Sequence, residues 1–471
     1  MKRRRFFSIV SSLVLFSVLA GQGCTRGPDA ATVKASKHVD INIWSVVDDA
    51  DVYQAIFTDY RALHPNVSIN YRRLRLEEYE TTLLNALAED RGPDIFMVHN
   101  TWITKYLPKI QPMPASTKVA VQRVVGTVKK ETTYVLETTP TMTVTKYKST
   151  YPDAVIKDTI RTLDVSPDPG KRQLESRVVA IPLSVDTLAM YVNKDLLNAA
   201  GIATIPTTWD RFQEAIPRLV KQDAQGSLIQ MGAALGTGYN VERSADIISA
   251  LMMQNGTVMS ADNGTPTFGV TPESLSGARE QPPAYQALSF YTDFANPAKA
   301  VYTWNAQQSN SFDAFVQGRV AFFFGYSYHL PVIRAQAPKL NLAIAQLPQI
   351  EGNPTVNMAN YWAWSVSKKT KNSDTAWNLL NFMMGKDEVS KFLTAAKRPA
   401  ADRSLLEGQL DNEDIGVFAS QVLTAKTWYR GDDPNAMEDA MKVMIENVQT
   451  GKEDIPTAIQ NAVAKVSQTI P

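Results

Sequence analysis

From Asp40 onward the apolar and polar positions fall into a legible order. Ile41-Asn-Ile-Trp44-Ser-Val-Val47 alternates with the period of a strand, and Val52, Ile56, Tyr60 and Leu63 then recur at helical spacing. That stripe stops at His64-Pro65, since the residue before a proline is pushed out of the helical region. Val67, Ile69 and Tyr71 alternate again, Tyr79, Leu83 and Leu87 mark a second helix, and after Gly92-Pro93 the run Asp94-Ile-Phe-Met-Val98 reads as a continuous apolar strand. The order β-α-β-α-β predicts a parallel sheet covered by helices on both faces. Ligands of such sheets sit beyond the carboxyl ends of the strands, which here are Trp44 to Asp49 and His99-Asn100-Thr101-Trp102.

The pattern weakens between Pro112 and Arg177, where the Thr- and Val-rich stretch from Met113 to Thr150 suggests an added hairpin and Ser166-Pro-Asp-Pro-Gly170 a turn. It sharpens at Val178-Val-Ala-Ile-Pro-Leu183 and Leu188-Ala-Met-Tyr-Val192, two strand-like runs on either side of Ser-Val-Asp186. A helix follows, stopped by Gly201, and Thr207 with Asp210 three residues on reads as the capping box of another, whose apolar face is Trp209, Phe212, Ile216 and Leu219. Beyond it come a glycine-bearing loop from Gly232 to Asn240, helices over Ala245 to Met253 and Tyr285 to Phe294, and then Phe312-Asp-Ala-Phe-Val-Gln-Gly318-Arg-Val-Ala-Phe-Phe-Phe-Gly325-Tyr-Ser-Tyr328: helix, glycine, strand, glycine, aromatic loop. Leu342 to Leu347 is a further strand, Tyr361-Trp-Ala-Trp364-Ser-Val leads toward a helix carrying Trp377, and the tail supplies helices at Pro434 to Thr450 and Pro456 to Gln468.

Three of these stretches, around Val178 to Ile216, Phe312 to Tyr328 and Tyr361 to Trp377, resemble, in the same order, the extracellular solute-binding proteins of ABC importers, family 1, maltose-binding type. The resemblance spans nearly all of Asp40 to Pro471 and implies an α/β, two-lobe periplasmic-binding-protein type II architecture, each lobe a sheet flanked by helices, joined by a multi-strand hinge. It divides the chain into lobe 1 (40–183 and 364–424) and lobe 2 (184–363 and 425–471). It also implies a ligand trapped by hinge closure, and as partners a membrane permease pair and a cytoplasmic ATPase. Carried over residue by residue, it puts His99 and Asn100 in the cleft, Asp186 as the acidic hydrogen-bonding residue at the crossing, and Tyr328 as the stacking aromatic. Asn100 stands where the family often has a charged residue. For Asp186, a site role predicts lost binding with stability intact, and a strand-end capping role predicts the reverse.

Composition narrows the chemistry. The 471 residues exceed one core, so two or more lobes are expected. Lys2, Arg3, Arg4 and Arg5 precede the apolar run Phe6 to Ala20, too short to span a bilayer and suited to a signal peptide over residues 1–23. Removing those four of the 48 basic residues leaves 44 against 47 acidic ones, so no basic excess remains for nucleic acid. Cys24 is the single cysteine, which excludes an intramolecular disulfide and a thiolate metal site. Its setting resembles a bacterial lipobox, with Gly21 where the usual aliphatic residue stands, and implies a lipid anchor on a polar tether over residues 24–39; ordinary cleavage nearby is the alternative.

No P-loop, G-x-S-x-G or H-E-x-x-H is present, and Gly232, Gly236 and Gly238 have the wrong spacing for a dinucleotide fingerprint. No catalytic residue, cofactor or metal is expected. Trp44, Trp102, Trp304, Tyr326, Tyr328, Tyr361, Trp362 and Trp428 fall at strand ends or in loops, whereas Trp209 and Trp377 lie on helical stripes and belong to the core. Aromatic faces beside amides and carboxylates suit a saccharide. The expected ligand-binding set is therefore Trp44, His99, Asn100, Asp186, Tyr326, Tyr328 and Trp362, in an exported, lipid-anchored receptor for a sugar or oligosaccharide. A secreted carbohydrate-active enzyme and a receptor for a phosphodiester or polyamine are the competing readings, the first needing two carboxylates about 5 to 10 Å apart.

Overall fold

Three parallel strands, Val67–Arg73, Val39–Ser45 and Ile95–His99, lie side by side, and Trp362–Ser367 then joins antiparallel to Ile95–His99 with Ile110–Gln111 at the far edge. The computed structural model describes residues 29–125, 130–166, 168, 170–277 and 280–471; the expected signal peptide and Cys24 lie outside them. Helices Ala50–Leu63, Leu76–Ala88 and Ser373–Met383 cover this first sheet. The first of them turns Tyr53, Ile56, Phe57 and Tyr60 inward, while Leu63, expected on the buried stripe, is exposed.

A second sheet runs Lys221–Gln222, Leu228–Ala233, Val320–Gly325, Ala189–Asn193 and Leu342–Gln346, with Ala189–Asn193 antiparallel to both its neighbours. Each strand from 189 to 193 and from 320 to 325 is buried at every position, as expected of central strands enclosed on both faces. The covering helix Trp209–Leu219 starts one residue later than its sequence suggests, capped by Thr208. The cause is that Thr207 is already committed: its carbonyl accepts the Gln349 N–H, and the Trp209 N–H goes to the Gln349 carbonyl.

Two separate apolar cores result. One is built from residues between Ile41 and Val185 and between Ala359 and Ala425; the other from residues between Leu188 and Met358, with Phe418 and residues from Trp428 to Val466. Residues 359–363 therefore pack with the first lobe, because strand Trp362–Ser367 belongs to its sheet. Between the cores the chain crosses three times, and the crossings pair with one another: Ala425–Lys426, Asn357–Asn360 and Asp186–Thr187 form a small sheet of their own. The added hairpin, Ser116–Val125 with Glu131–Pro140, packs on Ser373–Met383; Asn378 Nδ2 donates to Thr117 Oγ1 (3.1 Å), and His64 Nδ1 meets the Ala120 carbonyl (2.9 Å).

Candidate functional site

The crossings floor a cleft of about 1040 Å3 lined from both lobes. On the first lobe the strand Ile95–His99 ends in a single 3-10 turn, Asn100–Trp102, started by His99, whose Nδ1 accepts from the Thr101 N–H and hydroxyl. That turn swings Trp102 beside Trp362, ring centroids 5.2 Å apart and nearly perpendicular, while His99 packs on Trp362 at the same separation. Tyr79 supports both tryptophans from behind. Edge-to-face clusters of this kind fix ring orientation, leaving a rigid aromatic wall.

The second lobe opposes this wall with charges. Arg243 starts the helix Ser244–Gln254 from the left-handed conformation (φ 58°, ψ 26°), strained for a non-glycine residue. The turn folds its guanidinium onto Asp246 Oδ2 (Nε at 2.8 Å) and over the Tyr326 ring. Asp246 Oδ2 also accepts from the Tyr326 hydroxyl (2.6 Å). The helix Pro434–Gln449 buries its methionines and turns Glu438 and Lys442, an ion pair at 2.7 Å, toward the cleft. It is met by the glycine-bearing loop: the Gly238 and Tyr239 N–H groups donate to Glu446 Oε1, and a Cβ on Gly238 would lie 2.6 Å from the Lys442 carbonyl oxygen. Close backbone approach is what glycine provides there.

At the floor, Arg398 donates to Asp48 Oδ1 (2.9 Å), and Asp158 gathers the hinge, accepting from Tyr361 (2.8 Å) and Thr427 (2.9 Å) with Arg430 at 3.5 Å. Burial raises the Asp158 carboxyl above the ordinary range against the pull of Arg430. Asp186 is only 8% exposed, and its oxygens accept from the Thr187 N–H (2.9 Å), the Ser327 N–H (2.9 Å) and the Ser327 hydroxyl (2.7 Å).

Of the residues expected in the cleft, His99, Asn100, Asp186, Tyr328 and Trp362 line it. Trp44 does not. Ile41, Ile43 and Ser45 face the core, so strand alternation turns Trp44 to the other face, under the Arg72 guanidinium (5.1 Å). Tyr326 does not reach it either: the ring is fully buried under Tyr328, its hydroxyl spent on Asp246 and its carbonyl on Tyr191. Trp304, also fully buried, donates its indole N–H to Asn240. Sequence reasoning placed Asp48 only within the strand-end stretch Trp44 to Asp49 and missed Glu242, Arg243, Asp246, Arg398, Glu438 and Lys442. The only local signal was the i, i+4 pair Glu438 and Lys442 opposite the methionine stripe, which reads as a solvated helix face.

His99 Nε2 donates to Asn360 Oδ1 (3.2 Å) while Nδ1 accepts, so the ring is neutral. Burial first, and then the charge of Arg243 across the cleft, push its pKa down to about 4. An unfolded histidine takes its proton near about 6.5. Between these values the unfolded chain binds a proton that the folded one does not, so stability falls as pH drops from about 6.5 to about 4 and the loss is complete below. Melting curves of the ligand-free protein are expected to show a shallower decline across this window for His99→Gln than for the wild type; parallel declines would remove His99 as the cause.

Residues 44–389 match the family model described as bacterial extracellular solute-binding protein. The chain belongs to this family. Among curated relatives, a binding protein of Brucella abortus (strain 2308) is 23% identical over 304 residues, 62% of this chain and 68% of the relative. An ABC transporter periplasmic-binding protein of Escherichia coli (strain K12) is 22% identical over 309 residues, 62% of this chain and 67% of the relative. Among solved structures, the cyclic α-maltosyl-1,6-maltose binding protein of Arthrobacter globiformis superimposes with TM-score 0.68 at 17% identity, covering 92% of this chain and 99% of that one. The GacH receptor of Streptomyces glaucescens, solved unliganded and with acarbose, gives TM-score 0.64 at 18% identity over 92% and 98%. The fold is thus that of the two-lobe solute-binding proteins of ABC importers, and the family is one of binding proteins. No helix among the described residues is long and apolar enough to cross a membrane.

Proposed function

We propose that this solute-binding protein captures a saccharide of oligosaccharide size between its lobes, hands it unchanged to a permease driven by a cytoplasmic ATPase, and is held outside the cell membrane by a lipid on Cys24. The observation that carries the ligand class is the wall of Trp102, Trp362 and His99 facing a wall of charged hydrogen-bonding groups across a cleft of about 1040 Å3. Rings stack on the C–H faces of sugar rings, and fixed carboxylates, amides and guanidinium groups bond their hydroxyls. The cleft volume lies at the top of the range for small-molecule sites, which favours several sugar units over one. The sugar receptors among the structural neighbours support the same reading.

Native mass spectrometry of protein lacking residues 1–23, as purified and then against oligosaccharides of graded length, tests it. A saccharide bound and released intact after hours is expected. Product accumulating in proportion to protein would instead make it an enzyme, since turnover of even about 1 per second is visible within minutes.

For the anchor, Cys24→Ser is expected to release the protein from washed membranes into the soluble fraction, because the thiol is the only attachment point for a lipid. Identical fractionation of variant and wild type would reject the anchor.

A further inference from the structure

The balance of charge in the cleft goes further than saccharide binding in general, and rests on that reading. Among the described residues, each arginine or lysine lining the cleft is already paired: Arg243 with Asp246, Arg398 with Asp48, Lys442 with Glu438. The charge of each is thus balanced by a carboxylate of the same protein. Glu242 is different, because its partner is a histidine. The Tyr326 N–H donates to His329 Nδ1 (3.0 Å), so Nδ1 carries a lone pair and Nε2 carries the proton, which goes to Glu242 Oε1 (3.2 Å). The second Glu242 oxygen has no hydrogen-bond partner among the described residues, and the side chain is 33% exposed at the cleft.

Directly beside it, Tyr328 lies on the His329 ring with centroids 4.2 Å apart and is itself 39% exposed. Glu242 and Tyr328 thus meet at His329, which bonds the carboxylate and packs on the phenol ring, and both line the cleft. A positive nitrogen is attracted by both at once, by charge-assisted hydrogen bonding to the first and by the ring quadrupole of the second. Closing the lobes over Glu242 strips it of water, and a buried carboxylate without a cation is costly. A neutral hydroxyl replaces the lost hydrogen bond but not the charge. The His329 bond first, and with it the charge of nearby Arg243, hold the Glu242 carboxyl below the ordinary range against the effect of burial.

We propose that the cleft is selective for an amine-bearing saccharide, whose ammonium group is received by Glu242 against the face of Tyr328. The test is isothermal titration with pairs that differ only in a hydroxyl or an amine: glucose and glucosamine, galactose and galactosamine, and the β-1,4-linked trimers of glucose and glucosamine. At least one amine is expected to bind about ten- to a hundredfold tighter than its hydroxyl counterpart, and Glu242→Gln, which keeps the shape, is expected to abolish that difference. Tyr328→Leu should reduce it by less. Amines binding no tighter than hydroxyls overturns the inference and leaves the saccharide reading standing; an amine preference that survives Glu242→Gln overturns the assignment to Glu242. No binding by any member, with the ligand-free melt unchanged, overturns both.

Discussion

Asp186→Ala is expected to lower the stability of the ligand-free protein and to weaken ligand binding together. In the fold this carboxylate is the anchor of the loop after strand Val320–Gly325, holding both the N–H and the hydroxyl of Ser327 from the hinge strand Asp186–Thr187. Truncation leaves three donors without their acceptor at a position only 8% exposed, and an unsatisfied buried group costs about 1 to 3 kcal/mol. A loss of about 3 kcal/mol or more in denaturant unfolding is therefore expected. Binding falls as well, because Ser327 precedes Tyr328, whose ring the loop presents to the cleft. The two simple roles of a site residue or a strand cap thus merge: the residue builds the site by being structural. Unchanged stability of the variant, measured without ligand, would show that the Ser327 bonds contribute nothing. Asp186→Asn, which keeps one acceptor oxygen, should lie between.

Trp362→Ala is expected to give the largest loss in affinity of any single ring. Trp362 touches Trp102, His99 and Tyr79 and still faces the cleft, so its removal deletes a stacking face and releases the two cleft-lining rings packed on it, Trp102 and His99. Tryptophan anchors at binding sites are worth about 2 to 4 kcal/mol, which corresponds to a loss of roughly thirty- to a thousandfold in Kd. Trp362→Phe should recover much of this. Titration calorimetry beside ligand-free melts separates the roles: full affinity with a lowered melting temperature would confine Trp362 to packing.

Much of the lobe architecture was legible along the chain. The strand runs near Ile41, Val67, Ile95, Val320 and Leu342 and the helix faces of Tyr79, Leu83 and Leu87 or Trp209, Phe212, Ile216 and Leu219 reappear in the fold, since each pattern is set within one element. Boundaries slipped where a distant residue intervened, as when Gln349 engaged Thr207 and moved the helix cap to Thr208. The candidate site was legible only in part. Five of the seven expected residues line the cleft, all of them close to a strand end or a crossing, where the chain itself has to leave the core.

The sequence by itself determined the order of strands and helices, the points where strands end, the single cysteine, and the lack of any nucleotide or metal motif, because periodicity, turn residues and residue counts are local properties. Only the tertiary structure decided which side chains at those ends face the cleft. Tyr326 and Tyr328 are two residues apart, yet one is spent on Asp246 and the other open, and Trp44 is turned away by the alternation of its own strand. Nor was the charge of the cleft readable, since Arg398 finds Asp48 across 350 positions, and which cation pairs with which carboxylate depends on distances between segments that only folding brings together.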